Sequence, residues 1–194
     1  MRSFEELLEE SVAAHGHTCA GQVLGVRMAM RGLSELSLDP DAPADRRRLI
    51  VYVEIDRCAA DAVASVTGCR LGKRTLKHVD YGKVAATFVD IETGRAVRVL
   101  ARDEARERVD DYIASADLPK HEAQLRAYQV MPEEDLFVVM PVQVRVPAED
   151  MPGRPTRRVT CQACGESVND GREVTVAGQT LCRACAGESY YRRM

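Results

Sequence analysis

The order of its predicted elements places this chain in the α+β class, and three observations carry that assignment. Helical patterns open the chain, then a strand, a further helix and several strand and hairpin patterns follow. No alternating β-α-β run or glycine-rich nucleotide loop links them, which argues against a Rossmann-type or P-loop fold. Past residue 146 the composition shifts to a stretch rich in proline and charge, then to a cysteine-bearing tail. The expectation is an α+β domain over 1–146, a linker over 147–158 and a small zinc finger over 159–194.

Ser3, with Glu6 three residues on, forms a capping box for a first helix over about 4–14. The segment HGHTCAG interrupts it at 15–21, and QVLGVRMAMRG at 22–32 reads as a second helix despite Gly25. Residues 33–48, with Pro40, Pro43 and an arginine run, read as a loop. LIVYVEI at 49–55 is β-branched and short, hence a strand; a helix from Arg57 to Val66 follows and stops at Gly68. Residues 84–91 and 95–101 flank Glu92-Thr93-Gly94 as a hairpin. Asp103 is expected to cap a helix reaching about 116, and Pro119 to open another reaching about 129. Residues 136–146 form a last strand, placed at an edge by Pro141.

Apolar residues at 45% and charged residues at 29% suit a soluble chain with a real core. No run of eighteen apolar residues is present, so no membrane span is expected. The start MRSFEELLEES lacks the basic flank and apolar run of a signal peptide. A cytoplasmic location is therefore expected, where thiols stay reduced and seven cysteines read as metal ligands or reactive thiols before disulfides. The net charge of −3, 5% aromatic content and absence of Trp argue against a nucleic-acid partner.

Cys161-x-x-Cys164 and Cys182-x-x-Cys185 are separated by seventeen residues, room for a short hairpin with Ala-Gly at its tip. Four thiolates satisfy tetrahedral Zn²⁺ and leave no open position, so the site reads as structural, in a ribbon or treble-clef knuckle. So small a unit has too little core to fold alone, and metal binding supplies the missing free energy. Redox disulfides or an iron–sulfur centre are the alternatives. Arg154, Arg157, Arg158, Arg172, Arg183, Arg192 and Arg193 offer weak anion contact, with a solvated surface the simpler account.

In HGHTCAG, His15, His17 and Cys19 alternate, and an extended backbone would turn all three the same way. Cys19 would then begin the second helix, where free N–H groups and the helix dipole stabilise a thiolate. Cys58 follows the first strand and shares a helix face with Asp61. The expected site joins His17, Cys19 and Cys58 around Zn²⁺ or Ni²⁺, with His15 as a weaker ligand or a hydrogen-bonding partner. Three protein ligands leave a position for water or substrate. Asp61 is then placed to orient that water or hold a ligand, and Lys73 and Lys83 to receive an anionic substrate. The bland reading makes Cys19 and Cys58 core thiols and the histidines helix caps.

At these residues the chain resembles the E-subunit family of molybdenum and tungsten formylmethanofuran dehydrogenases. The matching elements are HGHTCAGQVLGVRMA at 15–29, DRCAADAVASVTGCRLGK at 56–73 and DYGKVAATF at 80–88, together with the C-terminal CQACGE and LCRAC. Ala20 departs from the family pattern, which has Pro after the cysteine. The resemblance implies a mixed four-stranded sheet, metal binding in the first domain and dimerisation, but not dehydrogenase chemistry in this chain. Three functions follow: a metal-binding accessory protein of molybdenum or tungsten enzyme metabolism, working with that enzyme's subunits; a small metalloenzyme; or a zinc-finger adaptor. Val23, Leu24, Val26, Met28 and Met30, spread over more than one helix face, add to the expectation of a homodimer.

Overall fold

The computed structural model describes residues 2–114, 116–192 and 194, in two compact units, 1–145 and 146–194. Arg193 lies outside the described residues. In the first unit, α1 (Phe4–His15) starts on the Ser3–Glu6 capping box, with Ser3 Oγ accepting from Glu6 N–H at 3.2 Å and Glu6 accepting from Ser3 N–H at 2.9 Å. Gly16, at φ 95°, ends it in the left-handed region that a side chain resists. The central helix α2 (Ala20–Leu36) follows, then the short α3 (Pro43–Arg48). The segment expected as one loop is thus helical at both ends.

Strand β1 (Leu49–Val53) leads through a short turn to α4 (Cys58–Thr67), which Gly68 closes at φ 67°. Then come β2 (Leu76–His78), the hairpin β3 (Ala85–Asp90) and β4 (Ala96–Ala101), α5 (Lys120–Val130), α6 (Glu133–Leu136) and β5 (Phe137–Val142). The sheet has five strands, in the order β2-β1-β3-β4-β5. Only β1 and β2 run parallel. This corrects the four-stranded expectation: the extra strand is β2, three residues paired to β1 by Val51↔Leu76 and Val53↔His78. The helix expected from Asp103 is replaced by two 3₁₀ turns, Asp103–Arg106 and Val109–Asp111. Arg108 between them leaves helical geometry, at ψ 11°, and its guanidinium reaches Asp111 and Asp135.

The core lies between the sheet and α2, with α1, α4 and α5 around that helix. Val23, Val26 and Met28 are fully buried within the chain, and Leu24 and Met30 are half-buried. Most of the apolar surface that suggested a partner is thus covered by the chain itself. Arg27 donates to the carbonyls of Tyr128 at 2.7 Å and Met131 at 2.6 Å, satisfying groups that the C-terminal end of α5 leaves without helical partners. Gly32, the last residue of the helix expected over 22–32, lies inside α2 against Phe88. An added Cβ there would stand 2.2 Å from the ring.

The second unit holds two hairpins, β6 (Arg158–Thr160) with β7 (Ser167–Asn169) and β8 (Val174–Val176) with β9 (Gln179–Leu181). A helical turn, Ala184–Glu188, follows. Ala177 and Gly178 both have positive φ, 49° and 81°, as the tight turn between β8 and β9 requires. Three of its arginines are engaged locally: Arg157 with Glu173, Arg158 with Asn169 and Arg172 with Asp150. No helix among the described residues is long and apolar enough to cross a membrane.

Candidate metal centres

In the finger, Cys161 directly follows the first hairpin's opening strand and accepts on its carbonyl from Gly165 N–H, while its own N–H donates to Glu166 O at 2.9 Å. That tight knuckle turns Cys164 back beside Cys161. The second hairpin delivers Cys182, whose Sγ accepts from Cys185 N–H at 3.4 Å. One ligand atom from each of the four residues lies within 4.8 Å of every other. Their acidities are split apart. Backbone N–H groups of Cys182 and Cys164 bring the Cys161 thiol down to about 6, while the neighbouring Cys182 and Cys164 push Cys185 up to about 12. Four thiolates this close repel one another, and a bound cation removes the conflict. The donor set fits Zn²⁺ in a closed structural site.

The first unit gathers a second set. His15, His17, Cys19 and Cys58 also present donor atoms all within 4.8 Å of one another. The route differs from the extended alternation expected. His15 is the last residue of α1, and Cys19 is the N-cap of α2, its carbonyl accepting from Gln22 N–H at 3.0 Å. A tight helix–helix corner brings the two histidines together, with ring centroids 4.5 Å apart. Cys58 arrives as the first residue of α4.

Close packing of α2 on α4 closes the distance between the two thiols. Gly21 and Gly25, four apart, share a face of α2. A Cβ on Gly25 would stand 2.5 Å from Ala59 O and 2.6 Å from Ala62 Cβ; one on Gly21 would stand 2.9 Å from Cys58 Cβ. The buried Gln22 ties the joint: its Nε2 donates to Cys58 O at 2.7 Å, and its Oε1 accepts from Ser11 Oγ of α1. Sequence reasoning passed over these four residues. The one available signal was the pair of glycines four apart in a helix, with a polar Gln beside it.

Asp61, one turn into α4, lies with Oδ2 2.9 Å from His15 Nδ1. The other ring nitrogen, Nε2, is buried without a hydrogen-bond partner. An imidazole held by a carboxylate on one nitrogen and bare on the other is set up to ligate a metal. Burial pushes the Cys58 thiol up, and Cys19 beside it adds to that, so the pair too favours a cation between them. His17 is the exposed member. Lys73 is exposed on the turn Leu71–Lys73, and Lys83 is exposed with Nζ 5.9 Å from the Tyr81 ring centroid. Neither belongs to the donor cluster. Cys69 is buried apart from it, its Sγ 3.9 Å from Leu49 O.

Comparison with known proteins follows the same division. A tungsten formylmethanofuran dehydrogenase FmdE-like protein from Syntrophus aciditrophicus superposes with a TM-score of 0.63 at 22% identity, over 98% of this chain and 96% of that one. A probable S-adenosyl-L-methionine-binding protein of Archaeoglobus fulgidus is 32% identical over 209 residues, which is 95% of this chain and 53% of that protein. The chain thus spans about half the length of the curated relative it matches. Residues 154–191 match the prokaryotic dksA/traR C4-type zinc finger. Residues 14–138, which contain all four donors of the first centre, match the family described as FmdE, molybdenum formylmethanofuran dehydrogenase operon, and the chain belongs to that family.

Proposed function

We propose that the chain is a metal-binding accessory protein of molybdenum or tungsten enzyme metabolism. In this reading the first unit holds one transition-metal ion, Zn²⁺ or Ni²⁺, on His15, His17, Cys19 and Cys58. The observation that carries the reading is that these four residues each bring a donor atom within 4.8 Å of the others, while His15 keeps a buried Nε2 without a hydrogen-bond partner. Two imidazoles and two thiolates complete a tetrahedral shell, which suits holding an ion better than acting on a substrate. His17, exposed, is the donor best placed to let go when the ion is passed on. The link to molybdenum and tungsten enzymes, whose subunits would be the partners, rests on the family name alone.

The metalloenzyme reading has one observation in its favour. An open groove lined by Ser11, His15, Asp61, Ser65 and Arg70 runs beside the donors. If His17 yields its position to water, that groove becomes the approach to the ion.

Metal titration of the reduced full chain separates these readings from the bland one. The expected result is two ions per chain for wild type, one for Cys19→Ser and two for Cys69→Ser. A single ion in the wild-type protein ends the proposal. X-ray absorption at the metal edge then chooses between four protein donors, the accessory reading, and three donors plus water, the enzyme reading.

A further inference from the structure

A cavity of about 200 Å³ lies where α2, the segment leading into β3, the end of β4 and α5 meet. It is of the size that accepts a one-ring molecule, since an apolar cavity of roughly 150 Å³ takes up benzene. Its apolar wall is Leu24, Ile55, Val84 and Leu100, all half-buried. Its polar wall carries Lys83, Arg102 and Arg106 against one carboxylate, Asp103. Among the described residues none of these three cations lies within ion-pair distance of a carboxylate. Some other arginines of this unit are paired with carboxylates, as Arg98 is with Glu54 and Arg48 with Asp90. Three cations beside one carboxylate over an apolar floor is the pattern of a site for a ligand with a charged head and an apolar body.

The wall is also built rather than loose. Glu54 O, at the end of β1, accepts from both Tyr81 N–H and Lys83 N–H at 3.1 Å. Gly82 N–H donates to Asp80 Oδ1 at 3.1 Å, closing the turn at φ 64°. Lys83 is therefore carried on a backbone pinned at three points. On the opposite side Arg102 Nε donates to the carbonyls of Glu134 at 3.0 Å and Phe137 at 3.2 Å, which fixes the guanidinium without neutralising it. Arg106 and the buried Tyr128 line the same cavity. A guanidinium held like that of Arg102 loses little freedom when it takes an anion, so binding costs less.

We infer that this cavity is a binding site for a small organic anion, its phosphate- or carboxylate-sized head held by Lys83 and Arg106 and its apolar body against Leu24, Ile55 and Leu100. None of the four thiol and imidazole donors lines the cavity, and the inference does not rest on them.

Calorimetric titration of the full chain with phenyl phosphate, benzoate and benzyl alcohol tests the inference. At least one of the two anions should bind one per chain, tighter than about 1 mM, and the alcohol should not. Which anion wins identifies the head group. Lys83→Met and Arg106→Met should each weaken the anion by about ten-fold or more, the usual scale for a hydrogen bond to a charged group. Lys120→Met, an exposed lysine outside the cavity, should leave it unchanged. Cys19→Ser should also leave it unchanged, even where that variant has lost an ion. Absence of binding by both anions, equal binding of the alcohol, or full affinity in Lys83→Met and Arg106→Met overturns the inference. Loss of binding in Cys19→Ser also overturns it, because the anion would then be sitting on the metal.

Discussion

His15 offers its two ring nitrogens to different surroundings, and that asymmetry is where the metal reading is most exposed to test. With Nδ1 on Asp61, Nε2 is left buried and without a hydrogen-bond partner. Second partners of this kind typically change metal affinity roughly 10- to 100-fold. The Asp61 side chain is 68% exposed, so solvent shares its role and the low end applies. Asp61→Ala should therefore weaken the first ion about 10-fold in a competition with a chromophoric chelator, leaving the finger's ion untouched. Unchanged affinity would reduce Asp61 to a surface contact. A second residue-scale prediction concerns Asp90. Its burial disfavours charge, but Arg48, Thr93 and the Glu92 N–H outweigh that and hold the carboxyl at about 2. The folded value lies below the ordinary one, so the stabilisation is present above about pH 4 and is lost as pH falls through 2. A fall of that size from the ordinary carboxylate value corresponds to about 2 kcal/mol. Wild type should exceed Asp90→Asn in stability by an amount that shrinks steadily between about pH 4 and pH 2 in urea titrations; a constant difference would contradict the ion-pair account.

The contact between α2 and α4 decides whether Cys19 and Cys58 meet. Gly25→Ala places a methyl within 2.6 Å of Ala59 O and Ala62 Cβ, neither of which can swing aside. Overpacking of this kind costs about 1–3 kcal/mol. Thermal melts should show that loss, and the same variant should bind the first ion more weakly because the helices separate. Retained affinity in a destabilised Gly25→Ala would mean that the helix joint does not set the donor geometry. This scale also marks where the sequence was legible. The Ser3 capping box, the β3–β4 hairpin, the Gly68 stop and the finger's hairpin are local devices, and each stands where residues a few positions apart place it. The helix expected to end at Gly32 runs on, because a helical glycine can serve packing, here against Phe88, and the true stop is Ser37 at φ 56°. β2 was hidden because three residues ending in Lys77 and His78 show no alternation, and its partner lies over twenty residues away. The run from Asp103 has helical spacing in Ala105 and Val109, but Arg108 and Tyr112 are drawn off to Asp135, a tertiary pull that local pattern does not record. In the site, the donors were legible as residue types, whereas Gln22 and Ser11, which tie their helices together, look like ordinary polar positions.

Each unit has its own reason to stay folded. The first has a large apolar cluster, while in the finger the buried apolar positions are Cys161 and Leu181 alone among the described residues. The finger must therefore lean on its ion. Cys182→Ser should release that zinc and make residues beyond 146 sensitive to protease, while the first unit melts as before. Full zinc content and intact resistance would refute the structural role. Self-association remains our proposal, resting on the family resemblance, since α2 buries most of the residues that argue for it in the sequence. Light scattering on the order of tens of micromolar chain should give twice the chain mass, and a monomer there would count against it. The form of any such pair is constrained by the margins of the five-stranded sheet. One margin is β2, only three residues long; the other is β5, interrupted by Pro141, which brings no N–H. Neither can extend its ladder far into another copy. Crowded chains are thus steered away from fibril-like growth, and a pair that forms through side-chain faces can come apart again on dilution.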